Sequence, residues 1–177
     1  MSGQRPPIGG TMRKDEEAVF VEETGVGSFQ VSVRTGETAF FADEPISVGG
    51  LSSGPDPFEL VGAALASCTV MTVRLYARRK GWPMRRLSAS VRHSRASASG
   101  RDRFDLLLRL DPELDADQQA RLLDIANRCP VHRLLAASSD IVIETGYSDL
   151  PRPVSAPLHA RAAETLCRSD EPVSKAA

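Results

Sequence analysis

The stretch "GPDPFELVGAALASCTVMTVRLYARRKGW", residues 54–82, decides the architecture of this chain because it predicts one long helix with marked ends. Asp56 is a suitable N-cap, and Glu59 stands three residues later, as in a capping box. Gly81 predicts the end of the helix. Cys68 lies in the middle of this helix, so its surroundings depend on which helix face enters the core.

Apolar and small side chains recur along this helix at a spacing of three to four residues, which is typical of one buried face. The predicted face consists of Val61, Leu65, Cys68, Thr72 and Leu75. Alanines at positions 63, 64, 66 and 77 make the helix slender enough to pack closely against another helix.

Strands are predicted on the N-terminal side of the helix. The segments "AVFVEETG" (18–25) and "SFQVSVRTGETAFFADEP" (28–45) are rich in β-branched and aromatic residues. A hairpin turn is expected at residues 34–37, where Gly36 permits a positive φ.

The C-terminal side of the helix predicts two strands, two helices and a last strand. Their approximate ranges are 85–95, 101–110, 115–129, 130–137 and 140–147. The order is therefore β-β-α-β-β-α-α-β. This is an α+β fold in which antiparallel sheet and helices are segregated.

Length and composition indicate a single globular domain. The 177 residues, 41% hydrophobic, are enough to bury a core. We place that domain at residues 18–147, between a polar mobile arm (1–17) and a proline-rich tail (148–177).

Charge and hydropathy argue against several partners. The net charge of −1 provides no basic footprint for nucleic acid. No run approaches the roughly 18 apolar residues that would span a bilayer, and the N-terminus has no apolar signal segment. The sequence therefore predicts a cytoplasmic protein that binds neither nucleic acid nor membrane.

Three cysteines in a reducing compartment point to free, catalytic or metal-bound thiols rather than to a disulfide framework. Cys68, on an apolar helix face, suits either a small core residue or a reactive thiol. Reactivity would need a nearby cation, because the thiolate is the nucleophile. Cys167, in the tail, is expected to be exposed and incidental.

The second candidate thiol is Cys129, in "ANRCPVHRLL" (126–135). It precedes a short predicted helix, whose N–H groups would favour a thiolate. His132 and Arg133 stand beside it and are either cations for the site or part of a solvated helix face. The Cys129–His132 spacing would suit two zinc ligands, but two ligands do not make a site, and no metal is predicted. His93 shows no obvious partner, and the basic runs around it are interpreted as solvated faces.

Two blocks resemble the OsmC/Ohr superfamily. These are "ADEPISVGGLSSGPDPFELVGAALASCTVMTVRLYARRKGWP" (42–83) and "RLLDIANRCPVHRLLAASSDIVIET" (121–145), and the similarity covers about residues 19–146. The resemblance implies an α+β fold with antiparallel sheets wrapped around two long central helices in an intertwined homodimer. It also implies that Cys68 attacks an organic hydroperoxide, that Cys129 resolves the sulfenic acid as a disulfide, and that an external dithiol, not a bound cofactor, restores both thiols.

The sequence departs from the peroxidase branches of that family at two positions. Those branches hold the thiolate with an arginine in an N-terminal "GGR" segment and with a glutamate ten residues before the first cysteine. Here the segment is "TGVGSF" (24–29), and the second position is Phe58. Glu59 and Arg34 are the candidate replacements, although Glu59 also fits a capping box.

The leading hypothesis is thiol-dependent reduction of organic hydroperoxides in oxidative-stress defence. The alternative is a redox-sensing or small-molecule-binding dimer of the same family that is not a peroxidase. A third possibility is an adaptor that acts through Cys167 and the tail; removal of residues 151–177 would test it.

Overall fold

The structure is a computed structural model that describes residues 19–96 and 100–146. The predicted arm (1–17) and tail (148–177), with Cys167, lie outside these residues. In chain order the elements are β1 (Val19–Glu23), β2 (Val31–Thr35), β3 (Thr38–Ala42), a 3-10 turn (Ile46–Val48), α1 (Pro57–Arg79), β4 (Ser88–Arg95), β5 (Asp102–Arg109), α2 (Ala116–Ala126), α3 (Pro130–Leu135) and β6 (Ser139–Thr145).

The ends of α1 are those that its sequence predicts. The Asp56 carboxylate accepts a hydrogen bond of 2.9 Å from the Glu59 N–H, and the Glu59 carboxylate accepts one of 2.9 Å from the Asp56 N–H. This capping box satisfies two backbone donors that the first turn of a helix leaves free. At the other end, Gly81 has a φ of +67°, which glycine adopts without strain.

The first sheet is antiparallel, in the order β1-β2-β3. The predicted hairpin is confirmed, because Thr35 pairs with Thr38 across a turn in which Gly36 has a φ of +56°. The turn divides the segment 28–45 into two strands. Three strands therefore precede α1, one more than the predicted order counts.

The second sheet, β4-β5-β6, is mixed. β4 and β5 are antiparallel, but β6 runs parallel to β5, with Phe104 opposite Ile141. The expectation of antiparallel sheets is therefore wrong for this ladder. A parallel pair needs a long crossover connection, and α2 and α3 supply it between β5 and β6.

The core lies between α1 and the second sheet, with α2 and α3 against α1. Alternate residues of β5 point into it, as the two-residue period of a strand requires. The buried cluster consists of Leu65, Val73, Ala77, Phe104, Leu106, Leu108, Leu110, Leu114, Leu122, Ala126 and Cys129.

The buried face of α1 differs from the predicted one. The fully buried residues are Leu65, Thr69, Val73 and Ala77, which are four apart. Leu75, placed on the same face as Leu65 by the sequence pattern, is 49% exposed. The pattern locates the apolar side of a helix, but the positions of β4, α2 and α3 decide which part of that side is covered.

The hydropathy of α1 corrects the expectation that no segment is long and apolar enough to span a bilayer. This helix has 23 residues, and an 18-residue stretch of it has a mean hydropathy of 1.5, so it is long and apolar enough, by length and composition, to cross a bilayer. The core helix of a globular domain meets the same criterion. Here 28% of the apolar stretch of α1 is buried within the single chain.

Candidate functional site

Two free thiols meet where α1 packs against the junction of α2 and α3. Cys68 lies in the middle of α1 and is partly buried, while Cys129 is the N-cap of α3 and is completely buried. Cys68 packs against the buried cluster that contains Cys129, and it is close enough to raise the pKa of that thiol. The structure therefore brings together the two cysteines that stand 61 positions apart in the sequence.

The pKa of Cys129 is raised above its ordinary value, and burial is the largest cause. The adjacent Cys68 raises this pKa further. Hydrogen bonds from Thr69 and from the His132 N–H lower it, but burial prevails. The N–H contact expected at the start of α3 is present, at 3.3 Å from Sγ. That N–H lowers the pKa of Cys129, as expected, but burial outweighs it because a buried anion loses its hydration.

Thr69 is a third member of the site that the sequence reasoning missed. Its Oγ1 lies 3.3 Å from Cys129 Sγ and 2.8 Å from the Leu65 carbonyl oxygen. A polar residue four positions after Leu65 and four before Val73 interrupts a buried apolar line, and that interruption was the available signal.

Glu59 does not share this location. Its carboxylate belongs to the capping box with Asp56. Nine residues of α-helix separate it from Cys68, a rise of about 13 Å along the axis. The structure thus accounts for Glu59 as a helix cap, while a catalytic role for it stays a prediction.

Arg34 lies on β2, in the first sheet. Its guanidinium is 3.7 Å from the Glu22 carboxylate and 4.8 Å from the centre of the Phe20 ring. The Arg34 side chain is 57% exposed. None of the contacts in residues 19–96 and 100–146 joins Arg34 to either thiol.

His132 is not a cation for the site at neutral pH. Burial lowers the pKa of its imidazole below the ordinary value, so the ring is neutral near pH 7. Its backbone N–H, rather than its side chain, is the group that contacts Cys129. No group of three or more metal-ligating side chains is placed to hold a metal ion within residues 19–96 and 100–146.

A second polar group corrects the interpretation of His93. The Asp102 carboxylate lies 2.7 Å from His93 Nε2 and accepts two hydrogen bonds, of 2.7 and 2.8 Å, from the Arg95 guanidinium. The His93 side chain is 8% exposed, and its ring lies between those of Phe58 and Phe104. His93 therefore has partners, and this part of the basic run is not a solvated face. We call His93, Arg95 and Asp102 the β4–β5 charge cluster.

The fold and the paired thiols define a class of α+β protein with two adjacent free cysteines, one of them in a central helix. The pattern of the OsmC-like protein family matches residues 50–144, more than half of the chain and including both cysteines. The chain belongs to the OsmC-like family, which confirms the resemblance.

Solved structures share the fold. A proposed osmotic-stress-induced and detoxification response protein of Psychrobacter arcticus has a TM-score of 0.67 at 19% identity, over 76% of this chain and 99% of that one. The organic hydroperoxide resistance protein OsmC of Legionella pneumophila has a TM-score of 0.57 at 17% identity, over 73% and 97%. OhrB of Bacillus subtilis, also an organic hydroperoxide resistance protein, has 0.56 at 17%, over 74% and 98%. A comparison with curated proteins found no match.

Proposed function

We propose that this chain is a cytoplasmic, homodimeric enzyme of oxidative-stress defence that reduces organic hydroperoxides, with Cys68 as the peroxidatic thiol and Cys129 as the resolving thiol. The observation that carries the proposal is the closeness of the two free thiols: Cys68 packs against the buried cluster that contains Cys129 and raises the pKa of that thiol. Their exposure supports this division of roles, because Cys68 is partly accessible and Cys129 is not.

The chemistry consists of three balanced steps. The Cys68 thiol gives up its proton, the thiolate attacks one peroxide oxygen and the O–O bond breaks. The sulfenic acid forms on Cys68, and the alkoxide takes up the proton and leaves as the alcohol. The Cys129 sulfur then displaces hydroxide from Cys68, so a disulfide and water are produced. An external dithiol reduces the disulfide by exchange and is itself oxidised to a disulfide.

Apolar surroundings favour an organic hydroperoxide over hydrogen peroxide. Cys68, Val61 and Val70 are partly buried residues of α1 that each pack against the core. Met71, one turn further along α1, is 68% exposed. An apolar substituent on the peroxide would bury its surface against such side chains.

Exposed apolar surface supports the homodimer. Val19, Phe20 and Val21 of β1 are each at least 50% exposed in the single chain, and Met71 and Leu75 of α1 are exposed as well. Apolar surface of this extent on a structured element commonly marks an interface. Light scattering coupled to size-exclusion chromatography should give twice the chain mass, and a monomer at micromolar concentration would contradict the homodimer.

Arg34 is the proposed cation of the thiolate, since its exposed side chain is available to an interface. Replacing it by glutamine should reduce peroxide consumption by about tenfold or more, as the loss of a charge-assisted contact predicts. Unchanged consumption in Arg34→Gln would leave the activation of Cys68 to another group.

The decisive experiment is intact-mass spectrometry after one equivalent of cumene hydroperoxide, followed by peptide mapping. A loss of about two mass units, mapped to a Cys68–Cys129 bond, is expected, because disulfide formation removes two hydrogens. A protein that remains unmodified, with both thiols still titratable, would contradict the proposal.

The second candidate is a redox-sensing or small-molecule-binding dimer that is not a peroxidase. Two observations favour it, because each removes a candidate cation from the thiols. Burial keeps His132 neutral, and Arg34 is paired with Glu22. The pH dependence of Cys68 alkylation separates the candidates. Rapid alkylation near pH 7 supports the peroxidase, whereas alkylation that rises only above about pH 8.5 supports the second candidate.

A further inference from the structure

We propose that Thr69 is the positioning residue of Cys129: its hydroxyl holds the sulfur beside Cys68 and turns its hydrogen to that sulfur as the thiolate forms. This role rests on the proposed function, because it concerns the step in which Cys129 attacks Cys68. Neither the family resemblance nor the spacing of the cysteines assigned a part to Thr69.

Burial makes such a group necessary. Both Cys129 and Thr69 have 0% exposure, so water does not reach the sulfur in this state. An anion without water must be stabilised by hydrogen bonds from the protein. In the part of the chain that the structure describes, Cys129 Sγ has two such neighbours, the His132 N–H and the Thr69 hydroxyl, each at 3.3 Å.

Counting hydrogens shows how one hydroxyl serves both protonation states. A threonine hydroxyl has a single hydrogen and two lone pairs. While this hydrogen is donated to the Leu65 carbonyl oxygen at 2.8 Å, Oγ1 faces the sulfur as an acceptor, which suits the neutral Cys129 thiol. When the thiol loses its proton, rotation of the hydroxyl directs its hydrogen to Sγ. A hydrogen bond to an anion is the stronger of the two.

The Thr69 hydroxyl acts in the steps in which Cys129 is the nucleophile. In the attack on a sulfenic acid at Cys68, the S–S bond forms, the S–O bond breaks, and the thiol proton leaves with hydroxide as water. In the attack on a mixed disulfide at Cys68, the same S–S bond forms and a thiolate leaves. The second reaction therefore measures the reactivity of Cys129 without any hydroperoxide.

The experiment uses the full chain with Cys167→Ser and the chromogenic disulfide dithionitrobenzoate. Cys68 is the more accessible thiol and reacts first, releasing one nitrothiobenzoate. Attack by Cys129 on the resulting mixed disulfide releases a second. Stopped-flow absorbance resolves the two releases, and their rates are measured from about pH 6 to about pH 10, a range that spans ordinary thiol pKa values.

Thr69→Val keeps the branched shape and removes the hydroxyl. We expect the second release to slow by about tenfold or more, and its pH midpoint to rise by about one unit, because the thiolate loses a donor. Thr69→Ser keeps the hydroxyl and should stay within about threefold of the parent. Ser67→Ala is the matched control, since the Ser67 hydroxyl flanks Cys68 on the other side, is exposed, and donates to the Ala64 carbonyl oxygen.

Two outcomes overturn the role of Thr69. One is a second release in Thr69→Val with the parent rate and pH profile. The other is a Thr69→Ser variant as slow as Thr69→Val, which would attribute the effect to the shape of the side chain. A protein that reacts with no hydroperoxide but keeps a hydroxyl-dependent second release would contradict the proposed function and support this inference. A protein that consumes hydroperoxide but has a second release independent of the Thr69 hydroxyl would support the proposed function and contradict this inference.

Discussion

The site of the paired thiols and the β4–β5 charge cluster lie along the same helix but differ in electrostatics. The thiols lie beside the middle of α1, and the groups within hydrogen-bond distance of Cys129 Sγ are an uncharged hydroxyl and a backbone N–H. The charge cluster packs on Phe58, in the first turn of α1. Ten residues separate Phe58 from Cys68, which is about 15 Å of helix.

This difference concerns Phe58, at which the sequence departs from the peroxidase branches that it resembles. Phe58 occupies the position at which the peroxidase branches have a glutamate, and its ring lies 4.3 Å from the His93 ring and 5.8 Å from the Arg95 guanidinium. Charges near this position are therefore paired with one another and not directed to the thiol. The start of α1 thus carries paired charges, and the proposed chemistry is placed at its middle.

The largest expected effect is the loss of the thiols themselves. Cys68→Ala should reduce hydroperoxide consumption to the background rate, because no other thiol replaces the nucleophile. Cys129→Ala should complete one turnover and then stop, with a sulfenic acid that dimedone traps. Hydroperoxide consumption without added dithiol measures the single turnover of Cys129→Ala, and consumption with an external dithiol measures the loss in Cys68→Ala. Equal activity in the two variants and the parent would show that the thiols do not carry the reaction, and the contrast with the β4–β5 charge cluster would then have no functional meaning.

The next effect separates stability from reactivity. Asp102→Asn removes the carboxylate that Arg95 and His93 share, and we expect a loss of about 1–3 kcal/mol in the free energy of unfolding. Urea denaturation measures it. Asp105→Asn on the same strand is the control, because its partners Arg92 and Arg103 are at least half exposed and such pairs contribute about 0–1 kcal/mol. If Asp102→Asn also slowed the release of nitrothiobenzoate, the two regions would be coupled.

Acid pH should reduce the contribution of the Asp102 carboxylate to the free energy of unfolding. Hydrogen bonds from Arg95, and then from His93, hold the pKa of Asp102 below its ordinary value despite partial burial. A carboxyl whose pKa is lowered on folding stabilises the protein above its unfolded pKa, about 3.9, and loses this effect as the pH falls through the folded value. The difference in unfolding free energy between the parent and Asp102→Asn should therefore shrink below about pH 4. A difference that is constant from neutral to acid pH would contradict this.

The smallest effects are expected at the cap of α1. Asp56→Ala should cost about 1 kcal/mol of unfolding free energy, since the N-cap oxygen is lost. Glu59→Gln retains an acceptor for the Asp56 N–H and should change stability by at most about 0.5 kcal/mol, while its hydroperoxide consumption tests the predicted catalytic role. Differential scanning calorimetry and hydroperoxide consumption with an external dithiol measure the two effects. A large loss of activity in Glu59→Gln would show that this carboxylate takes part in the reaction.

Local signals in the sequence determined the elements of this protein. Asp56 and Asp115 begin helices with capping boxes, and Gly36 forms the hairpin turn, because each acts through backbone groups a few residues away. The family pattern likewise needed no structure, since the spacing of its two cysteine blocks is visible in the chain.

The tertiary structure alone decided what surrounds those elements. The parallel pairing of β6, the burial of His93 against Phe58, and the contact of Thr69 with Cys129 all join residues distant in sequence. A periodic pattern shows which side of a helix is apolar, but not which neighbour covers each part of it. That choice depends on how the helices and the second sheet fill one core together, and it places a buried hydroxyl against the second thiol.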